Sequence, residues 1–508
     1  MRPSLAASLG LSVLLAAAAG PADDGLPVPE SLVADGLPPI PASIVEKAGR
    51  YAEFRSASFL DWHPTRREML VSTRFADTPQ VHHVARPLGA RRQLTFRRER
   101  VQGARYDPRA AQFLVFSSDE GGGEFYQNFL HDLSTGDTRR LTDGRSRNSL
   151  GTWSRDGARM AYTSTRRNGR DTDLYVVDPR DPKSDRLLAQ VEGGGWGPLD
   201  WSPDGRTILV GQSISITDRR FWLFDAQSGE RKPLTPAPAS ADARTVSYGG
   251  GEFAPDGRSV YATSDRDSEF RRLVRIDVAT GKETVLTPGL QWDVESFETA
   301  PNGRWIAFST NEEGVDVLHL FTVATSRTRT VAGLPAGVLG SPRWRRTAPE
   351  FAFSVQSARA PGDVWSYDVV NDRLERWTAS ETAFPTDTLP QSTVVRWKSF
   401  DGRMISGLLY RPPARFTGPR PVIVSIHGGP EGQARPSFLG RSNYYLNELG
   451  VALLYPNVRG SSGFGRTFSM LDNGMKREDS VKDIGALLDW IAAQPDLDKD
   501  RVMVTGGS

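Results

Sequence analysis

The chain contains no cysteine among its 508 residues. This absence excludes disulfide bonds, thiolate metal sites and a cysteine nucleophile. The sequence also lacks an excess of either charge, because 63 Lys and Arg stand against 61 Asp and Glu, so the charge balance does not favour a nucleic-acid partner. After the first twenty-odd residues, no stretch is long and apolar enough to span a membrane.

Glycine and proline, by contrast, are plentiful. The 49 Gly and 35 Pro are typical of a turn-rich β protein, and a hydrophobic content of 38% excludes a fully disordered chain. The length allows about three domains, or one very large domain and a smaller one.

Residues 1–22 have the pattern of a signal peptide. Arg2 precedes an apolar run from Leu9 to Ala19, and small residues then offer cleavage sites at Ala17-x-Ala19 or Gly20-x-Ala22. As a helix this run covers about 16 Å, too short for a hydrocarbon core of about 30 Å. We therefore expect an exported protein, periplasmic or secreted. The alternatives are an uncleaved anchor and a disordered start.

Residues 23–49 are expected to form an extended linker, since six prolines lie within 21–41.

Seven related units fill the middle of the chain. WSPDGRTILV at 201–210 places an aromatic residue, a Pro-Asp-Gly turn and an alternating apolar strand in order, and related segments begin at residues 62, 106, 153, 253, 300 and 344. The third position is Pro in most units but Arg155 and Arg346 in two. Four short strands in about 47 residues, repeated seven times, predict a seven-bladed β-propeller over 50–385. An array of β-sandwiches is the alternative.

The pattern changes after Thr378. A predicted strand pair at 393–400 and 405–412 is followed by buried strands at 421–429, 450–460 and 502–505, with helical patterns at 436–449 and 480–493 between them. Strands that alternate with helices predict an α/β domain over 390–508 with a largely parallel sheet.

Two glycine-rich segments of this domain suggest chemistry. The last strand runs into Gly506-Gly507-Ser508, the first three positions of the G-x-S-x-G nucleophile elbow, although a bare GGS is also typical of linkers. His427-Gly428-Gly429 ends an earlier strand, where α/β-hydrolases place a loop that helps to bind the oxyanion. A plain glycine-rich turn with a structural His is the alternative.

The repeats, the HGGP segment, NVRGSSGFG at 457–465, Asp483 and VMVTGGS together resemble the prolyl oligopeptidase family of serine peptidases. The resemblance covers about residues 50–508. It implies a propeller that caps an α/β-hydrolase site and admits short peptides, with Ser508 as the acylating nucleophile. Some members carry a Tyr whose hydroxyl helps to bind the oxyanion near the position of His427.

The triad order in α/β-hydrolases is Ser, then Asp or Glu, then His. Both partners are therefore expected beyond Ser508, and we expect the 508-residue chain to be an inactive N-terminal fragment. The six His all precede Ser508 and are expected on propeller turns or in the HGGP loop. The sequence predicts no cofactor and no metal.

Several smaller candidates have both functional and structural interpretations. Asp119-Glu120 with Glu124, and Glu312-Glu313, could bind a substrate's amino terminus, but solvated loop charges are commoner. Arg459 could orient its loop or simply form a structural pair, and Asp483 is expected to be structural.

The predicted function is hydrolysis of short peptides, the alternatives being an esterase and a propeller binding protein with a vestigial second domain. Oligomeric state is left open.

Overall fold

The computed structural model describes residues 25–240, 243–429 and 431–508. The predicted signal peptide, residues 1–22, lies outside the described residues. Residues 25–41 contain only an isolated bridge between Gly25 and Pro41. Helix α1 (Ala42–Gly49) and the short strand β1 (Phe54–Arg55) follow. The extended segment expected as far as residue 49 therefore ends in a helix, which begins directly after Pro41 and which the proline count did not predict.

Seven antiparallel sheets follow, each built from consecutive strands. The strands of blades 1 to 4 are β2 (Ala57–Trp62), β3 (Met69–Thr73), β4 (Gln80–Val84), β5 (Arg91–Gln93), β6 (Val101–Tyr106), β7 (Phe113–Ser118), β8 (Gln127–Asp132), β9 (Thr138–Arg140), β10 (Thr152–Trp153), β11 (Met160–Ser164), β12 (Asp173–Asp178), β13 (Asp181–Ala189), β14 (Trp196–Trp201), β15 (Thr207–Ser215), β16 (Asp218–Asp225) and β17 (Arg231–Pro233).

Blades 5 to 7 comprise β18 (Tyr248–Phe253), β19 (Ser259–Ser264), β20 (Arg272–Asp277), β21 (Glu283–Val285), β22 (Asp293–Thr299), β23 (Trp305–Glu312), β24 (Val315–Thr322), β25 (Arg327–Thr330), β26 (Val338–Leu339), β27 (Arg343–Trp344), β28 (Glu350–Ser357), β29 (Ala360–Asp368) and β30 (Arg373–Arg376). In blade 7 both β26 and β27 pair with β28. The predicted seven-bladed propeller is confirmed.

The repeated sequence explains the repeated turn. In blade 5, Gly257 takes a φ of +70°, which a side chain would disfavour, and the Asp256 carboxylate accepts the Arg258 N–H at 2.9 Å. The aromatic residue before the turn joins neighbouring blades, because the Trp201 indole N–H donates to the Thr152 carbonyl at 2.9 Å. Trp62 and Trp344 make the same kind of bond in blades 1 and 7, so three of the units supply both a hairpin and an indole bond to the neighbouring blade.

The ring closes without a shared strand. Blade 1 packs on blade 7 through the Trp62 indole, which donates to the Arg343 carbonyl at 2.9 Å, and through the Phe59 N–H, which donates to Ser354 Oγ at 2.8 Å. The apolar core at this junction contains Ala57, Trp62, Met69, Val71, Val84, Ala352, Val364 and Trp377. Outside the blades, β1 pairs with β31 (Glu381–Thr382).

The second domain is one mixed sheet with helices. Its strands are β32 (Thr393–Lys398), β33 (Met404–Tyr410), β34 (Arg420–Ile426), β35 (Ala452–Asn457) and β36 (Leu497–Gly506), in the order β32-β33-β35-β34-β36. The pairs β34–β35 and β34–β36 are parallel, and the others are antiparallel. The predicted α/β domain is therefore confirmed as a short segment of this fold. The expectation of a largely parallel sheet was wrong, because two of the four strand pairs are antiparallel. No helix of the described residues has the length and hydropathy of a membrane span.

The helices of this domain are α2 (Asn443–Asn447), α3 (Arg466–Ser469) and α4 (Arg477–Ala492), with 3₁₀ turns at Gly440–Ser442 and Gly474–Lys476. The helix expected over 436–449 is thus shorter than its pattern indicated. The positive φ of Gly440, +52°, is incompatible with a regular helix that continues from residue 436 through residue 440.

The two domains meet through polar contacts on one face of the propeller. Arg466 of α3 donates to the Asp265 carboxylate at 2.8 Å and to Thr245 Oγ1 at 2.7 Å. Thr245 precedes β18 and Asp265 follows β19, so this end of the blade faces the α/β domain. The Pro-Asp-Gly turn, at the other end of β18, lies on the opposite face.

Candidate active site

Ser508 follows strand β36, which forms the edge of the sheet. Met503 and Val504 of this strand are about half exposed, so the expectation of a buried strand at 502–505 was wrong. Strand β36 pairs with β34 up to Gly506, and Ser508 then takes a φ of +78°, which is unusual for a residue with a side chain. Strain of this kind is typical of the turn that exposes a nucleophilic serine. A side chain at Gly506 would place its Cβ 2.9 Å from the Ile426 carbonyl oxygen, so the close approach of the two strands requires glycine there.

The HGG loop lies against this turn. A Cβ on Gly428 would lie 2.8 Å from the Gly507 carbonyl oxygen and 2.9 Å from Ser508 Cβ. Gly429 has a φ of +119°. The structure therefore brings together the two glycine-rich segments that the sequence analysis singled out, and it does so at the serine. Their catalytic roles stay predictions.

The His427 ring is held by its own loop and by the segment after β35. Its Nδ1 lies 2.9 Å from the Gly428 carbonyl oxygen and its Nε2 lies 2.9 Å from Ser461 Oγ. Ser461 Oγ also lies 2.6 Å from the Val458 carbonyl oxygen. Because both ring nitrogens already have partners, the ring would have to leave them in order to bind an oxyanion.

Arg459 and Asp483 form a buried ion pair away from the serine. The guanidinium donates to Asp483 from Nη2 at 2.8 Å and from Nε at 3.0 Å, and Asp483 also accepts the Arg459 N–H at 2.9 Å. Asp401 binds the same guanidinium at 3.1 Å. Desolvation lowers the pKa of Arg459, but the hydrogen bonds from Asp483 and Asp401 outweigh it, so the pKa lies above its ordinary value. The pair fastens the loop after β35 onto α4.

Three of the acidic candidates, Asp119, Glu312 and Glu313, already make side-chain contacts. Asp119 is buried, and its Oδ2 accepts the Glu124 N–H at 3.0 Å, which closes their loop. Glu312 accepts a hydrogen bond from Thr310 Oγ1 at 3.0 Å. Glu313 pairs with Arg396 of β32 and so joins the two domains. Glu120 is exposed.

Sequence reasoning missed a polar bridge between the HGGP loop and the propeller. Asn311 Nδ2 donates to Gln433 Oε1 at 2.6 Å and to Glu295 Oε1 at 3.0 Å. Gln433 lies four residues after Gly429, and its neighbour Gly432 packs against His427. No repeat or motif marks Asn311 or Gln433, so the sequence carried no signal for this contact.

The expectation that the propeller histidines lie on turns was wrong for four of them. These four lie on strands: His82 and His83 on β4, His131 on β8 and His319 on β24. Desolvation lowers the pKa of His82, His131 and His319, as expected for rings that are packed inside a blade. Among the hydrogen bonds of the described residues, none joins a His ring to Ser508.

A seven-bladed propeller on an α/β sheet with a strained serine and an adjacent HGG loop defines a propeller-capped hydrolase fold. Family models agree with this class. The model for the prolyl oligopeptidase N-terminal β-propeller domain matches residues 104–380, and that for the prolyl oligopeptidase family matches residues 436–508. The chain belongs to the prolyl oligopeptidase family.

Individual relatives are distant. Dipeptidyl-peptidase 5 of Porphyromonas gingivalis is 25% identical over 334 residues, an alignment that covers 61% of this chain and 46% of that protein. Dipeptidyl aminopeptidase BIII of Pseudoxanthomonas mexicana is 24% identical over 423 residues, covering 78% of this chain and 58% of that protein. The chain therefore spans about half the length of these two relatives.

Solved structures share the fold. Prolyl oligopeptidase B from Galerina marginata, bound to a 35-residue substrate, superposes with a TM-score of 0.76 at 16% identity and covers 92% of this chain and 71% of its own. A puromycin hydrolase superposes with a TM-score of 0.73 at 18% identity, over 91% of this chain and 75% of its own.

Proposed function

We propose that these residues belong to an exported serine peptidase that hydrolyses short peptides through an acyl-enzyme on Ser508. The observation that carries the proposal is the contact of Gly428 with Gly507 and Ser508, since it sets a glycine-rich loop beside a serine of positive φ. Family membership and the two dipeptidyl peptidases among the relatives support peptides as the substrate class.

The proposed reaction would use this arrangement as follows. Ser508 Oγ attacks the carbonyl carbon and its proton passes to a general base. The oxygen that becomes negative needs preorganised N–H donors, and the backbone of the Gly428 loop is the candidate donor within the described residues. The amine then leaves with a proton, and water releases the acyl group from Ser508.

Activation of Ser508 needs an Asp or Glu and a His that follow the nucleophile in chain order. We therefore propose that the 508-residue polypeptide alone is inactive. Loss of triad members removes about 10⁴ to 10⁶ of the rate, so no acyl-enzyme burst is expected from it.

A fluorophosphonate probe tests the nucleophile. In the whole protein we expect labelling at Ser508, its loss in Ser508→Ala, and normal labelling in the control Ser480→Ala, whose exposed hydroxyl bonds only to the Arg477 carbonyl. Labelling that survives in Ser508→Ala would overturn the assignment. Parallel assays on a peptide amide and a small ester separate a peptidase from an esterase, and an inert whole protein would favour the binding-protein alternative.

A further inference from the structure

One position of the repeat lines the central channel of the propeller. The penultimate residue of each inner strand, which precedes an aromatic residue in every blade except blade 6, borders a cavity of about 590 Å³. This cavity lies at the Pro-Asp-Gly face, away from the α/β domain, and the turn residues Arg155 and Arg346 also border it. The seven residues, in blade order, are Asp61, Arg105, Thr152, Asp200, Glu252, Glu298 and Arg343.

The charges of these residues are separated around the ring. Blades 7, 1 and 2 contribute three arginines, Arg343, Arg346 and Arg105, against Asp61 alone. Blades 4, 5 and 6 contribute three carboxylates, and of these Asp200 is paired with Arg155 of blade 3 at 2.5 Å. The cavity therefore has a basic side and an acidic side.

The opposing charges are not paired with one another. Within the described residues, neither Arg343 nor Arg105 has a carboxylate oxygen within 4.0 Å. Glu252 and Glu298 likewise have no basic nitrogen within that distance. Each glutamate instead accepts one backbone N–H from the next blade, Glu252 from Thr299 at 2.7 Å and Glu298 from Trp344 at 2.5 Å. One oxygen of each carboxylate remains without a protein partner.

The electrostatics of the unpaired groups agree with this geometry. Desolvation and the neighbouring charge of Glu298 raise the pKa of Glu252 to about 8, and desolvation raises that of Glu298 to about 7. On the other side, desolvation and the charge of Arg343 lower the pKa of Arg105 to about 10. The opposite charges of Arg343 and Glu298 partly offset these effects, lowering the pKa of Glu298 and raising that of Arg343. A ligand ammonium group beside the two glutamates would favour their charged forms, and a ligand carboxylate would do the same for the two arginines.

We propose that this cavity binds a small zwitterion with a free α-ammonium group and a free carboxylate, such as an amino acid or a short peptide. The ammonium group binds Glu252 and Glu298, and the carboxylate binds Arg343 and Arg105. The volume lies within the range of small-molecule sites. The site is separate from Ser508, because it lies on the opposite face of the propeller, and it does not depend on the peptidase assignment.

Calorimetric titration of the Ser508→Ala chain with glycyl-glycine tests the site without hydrolysis. Blocking one end, as N-acetyl-glycyl-glycine or glycyl-glycinamide, is expected to weaken binding about tenfold or more, since the blocked end loses its hydrogen bonds between charged groups. Glycine and triglycine, titrated in the same way, distinguish an amino acid from a peptide as the preferred ligand. Equal binding of the blocked and free dipeptides would overturn the proposal, and so would equally tight binding of inorganic phosphate.

Channel variants locate the binding. Arg343→Gln is expected to weaken glycyl-glycine binding about tenfold or more, and the matched control Arg206→Gln, an exposed residue in the Pro-Asp-Gly turn of blade 4, is expected to leave it unchanged. Arg105→Gln is a second variant in case Arg343→Gln does not fold, which circular dichroism shows. Binding that is unaffected by a folded channel variant, or absent at millimolar dipeptide, would contradict the proposal.

Discussion

Arg466 of the α/β domain and Asp265 of the propeller form an ion pair of 2.8 Å across the domain interface, and both side chains are less than one-tenth exposed. The opposite Asp265 oxygen accepts the Ser247 N–H at 2.7 Å. A charge pair with so little access to water is costly to break, because the remaining partner stays buried without compensation.

Replacing Arg466 by Met therefore tests the interface. We expect Arg466→Met to destabilise the docked arrangement by about 3–5 kcal/mol. Faster hydrogen exchange at 245–247 and 463–469, with the blade cores still protected, would be the sign of this change. The double variant Arg466→Met/Asp265→Asn should recover part of the protection. Unchanged exchange in the single variant would show that the pair does not hold the domains together.

Gly428 is expected to be essential for the geometry at Ser508. In Gly428→Ala the new methyl group would lie 2.8–2.9 Å from backbone and Cβ atoms of the nucleophile turn. We expect kcat of the whole protein to fall at least about 100-fold, since a misplacement of about 1 Å at a catalytic site has that effect. The control is Gly485→Ala on α4, where the added Cβ would have no atom within 4 Å other than its own helix backbone and chain neighbours. It should retain full activity and gain up to about 1 kcal/mol of stability.

Asp483 is expected to act on stability rather than on chemistry. Asp483→Asn leaves the buried Arg459 with the partly exposed Asp401 as its remaining carboxylate partner, so the free energy of unfolding should fall by about 3–5 kcal/mol. Asp489→Asn, an exposed position on the same helix, is the control. Denaturant titration measures the loss. A variant of unchanged stability but lost activity per folded molecule would assign Asp483 to the reaction instead.

The raised pKa values of the channel glutamates predict that the free energy of unfolding falls as the pH rises. Glu252 has a raised pKa, about 8 in the folded protein against an ordinary value of 4.5. Between these values the folded state binds more protons than the unfolded state, so the free energy of unfolding decreases with increasing pH.

Glu252→Gln should remove the part of this dependence that Glu252 causes, leaving that of Glu298, and should keep the bond from the Thr299 N–H. We expect the variant to raise Tm relative to the unaltered protein near pH 8.5, and to change it little near pH 5. Glu230→Gln, an exposed position in a blade 4 hairpin, is the control. A Tm difference that is independent of pH would contradict the raised pKa.

Export is tested by fusion. Residues 1–25 joined to a reporter enzyme should carry it across the inner membrane of a bacterium, because the charged start, short apolar run and small residues match a cleavable leader. Arg2 and the apolar run can be altered separately, and a run interrupted by two aspartates should abolish export. A reporter that remains in the cytoplasm with the intact leader would refute the proposed location.

The sequence predicted the fold well where one pattern repeats. The Pro-Asp-Gly turns and alternating strands are local features, so seven copies of them were sufficient to predict seven blades. The GGS and HGG segments were recognisable for the same reason, because glycine is needed where Gly428 and Gly506 approach other backbone atoms.

Features that depend on distant residues were not predictable. The contact of Asn311 with Gln433 joins residues 122 positions apart, and neither belongs to a motif. The charge separation in the channel needs the blades to be arranged in a ring before its two sides can be seen. The short helix at α2 was overestimated because the apolar pattern continued past Gly440, whose backbone conformation the pattern does not reveal.

The way the ring closes gives the propeller one weak seam. Every other pair of neighbouring blades is joined by the continuous polypeptide. Blades 7 and 1 instead meet through non-covalent contacts: side-chain packing, hydrogen bonds such as those from Trp62 to the Arg343 carbonyl and from the Leu88 N–H to the Trp377 carbonyl, and the short β1–β31 pair beside the ring. Mechanical stress on the ring should therefore separate blades 7 and 1 before any other pair of neighbouring blades. Arg343 and Asp61 stand on either side of that split, so the basic half of the channel is also the part whose width changes most when the ring opens.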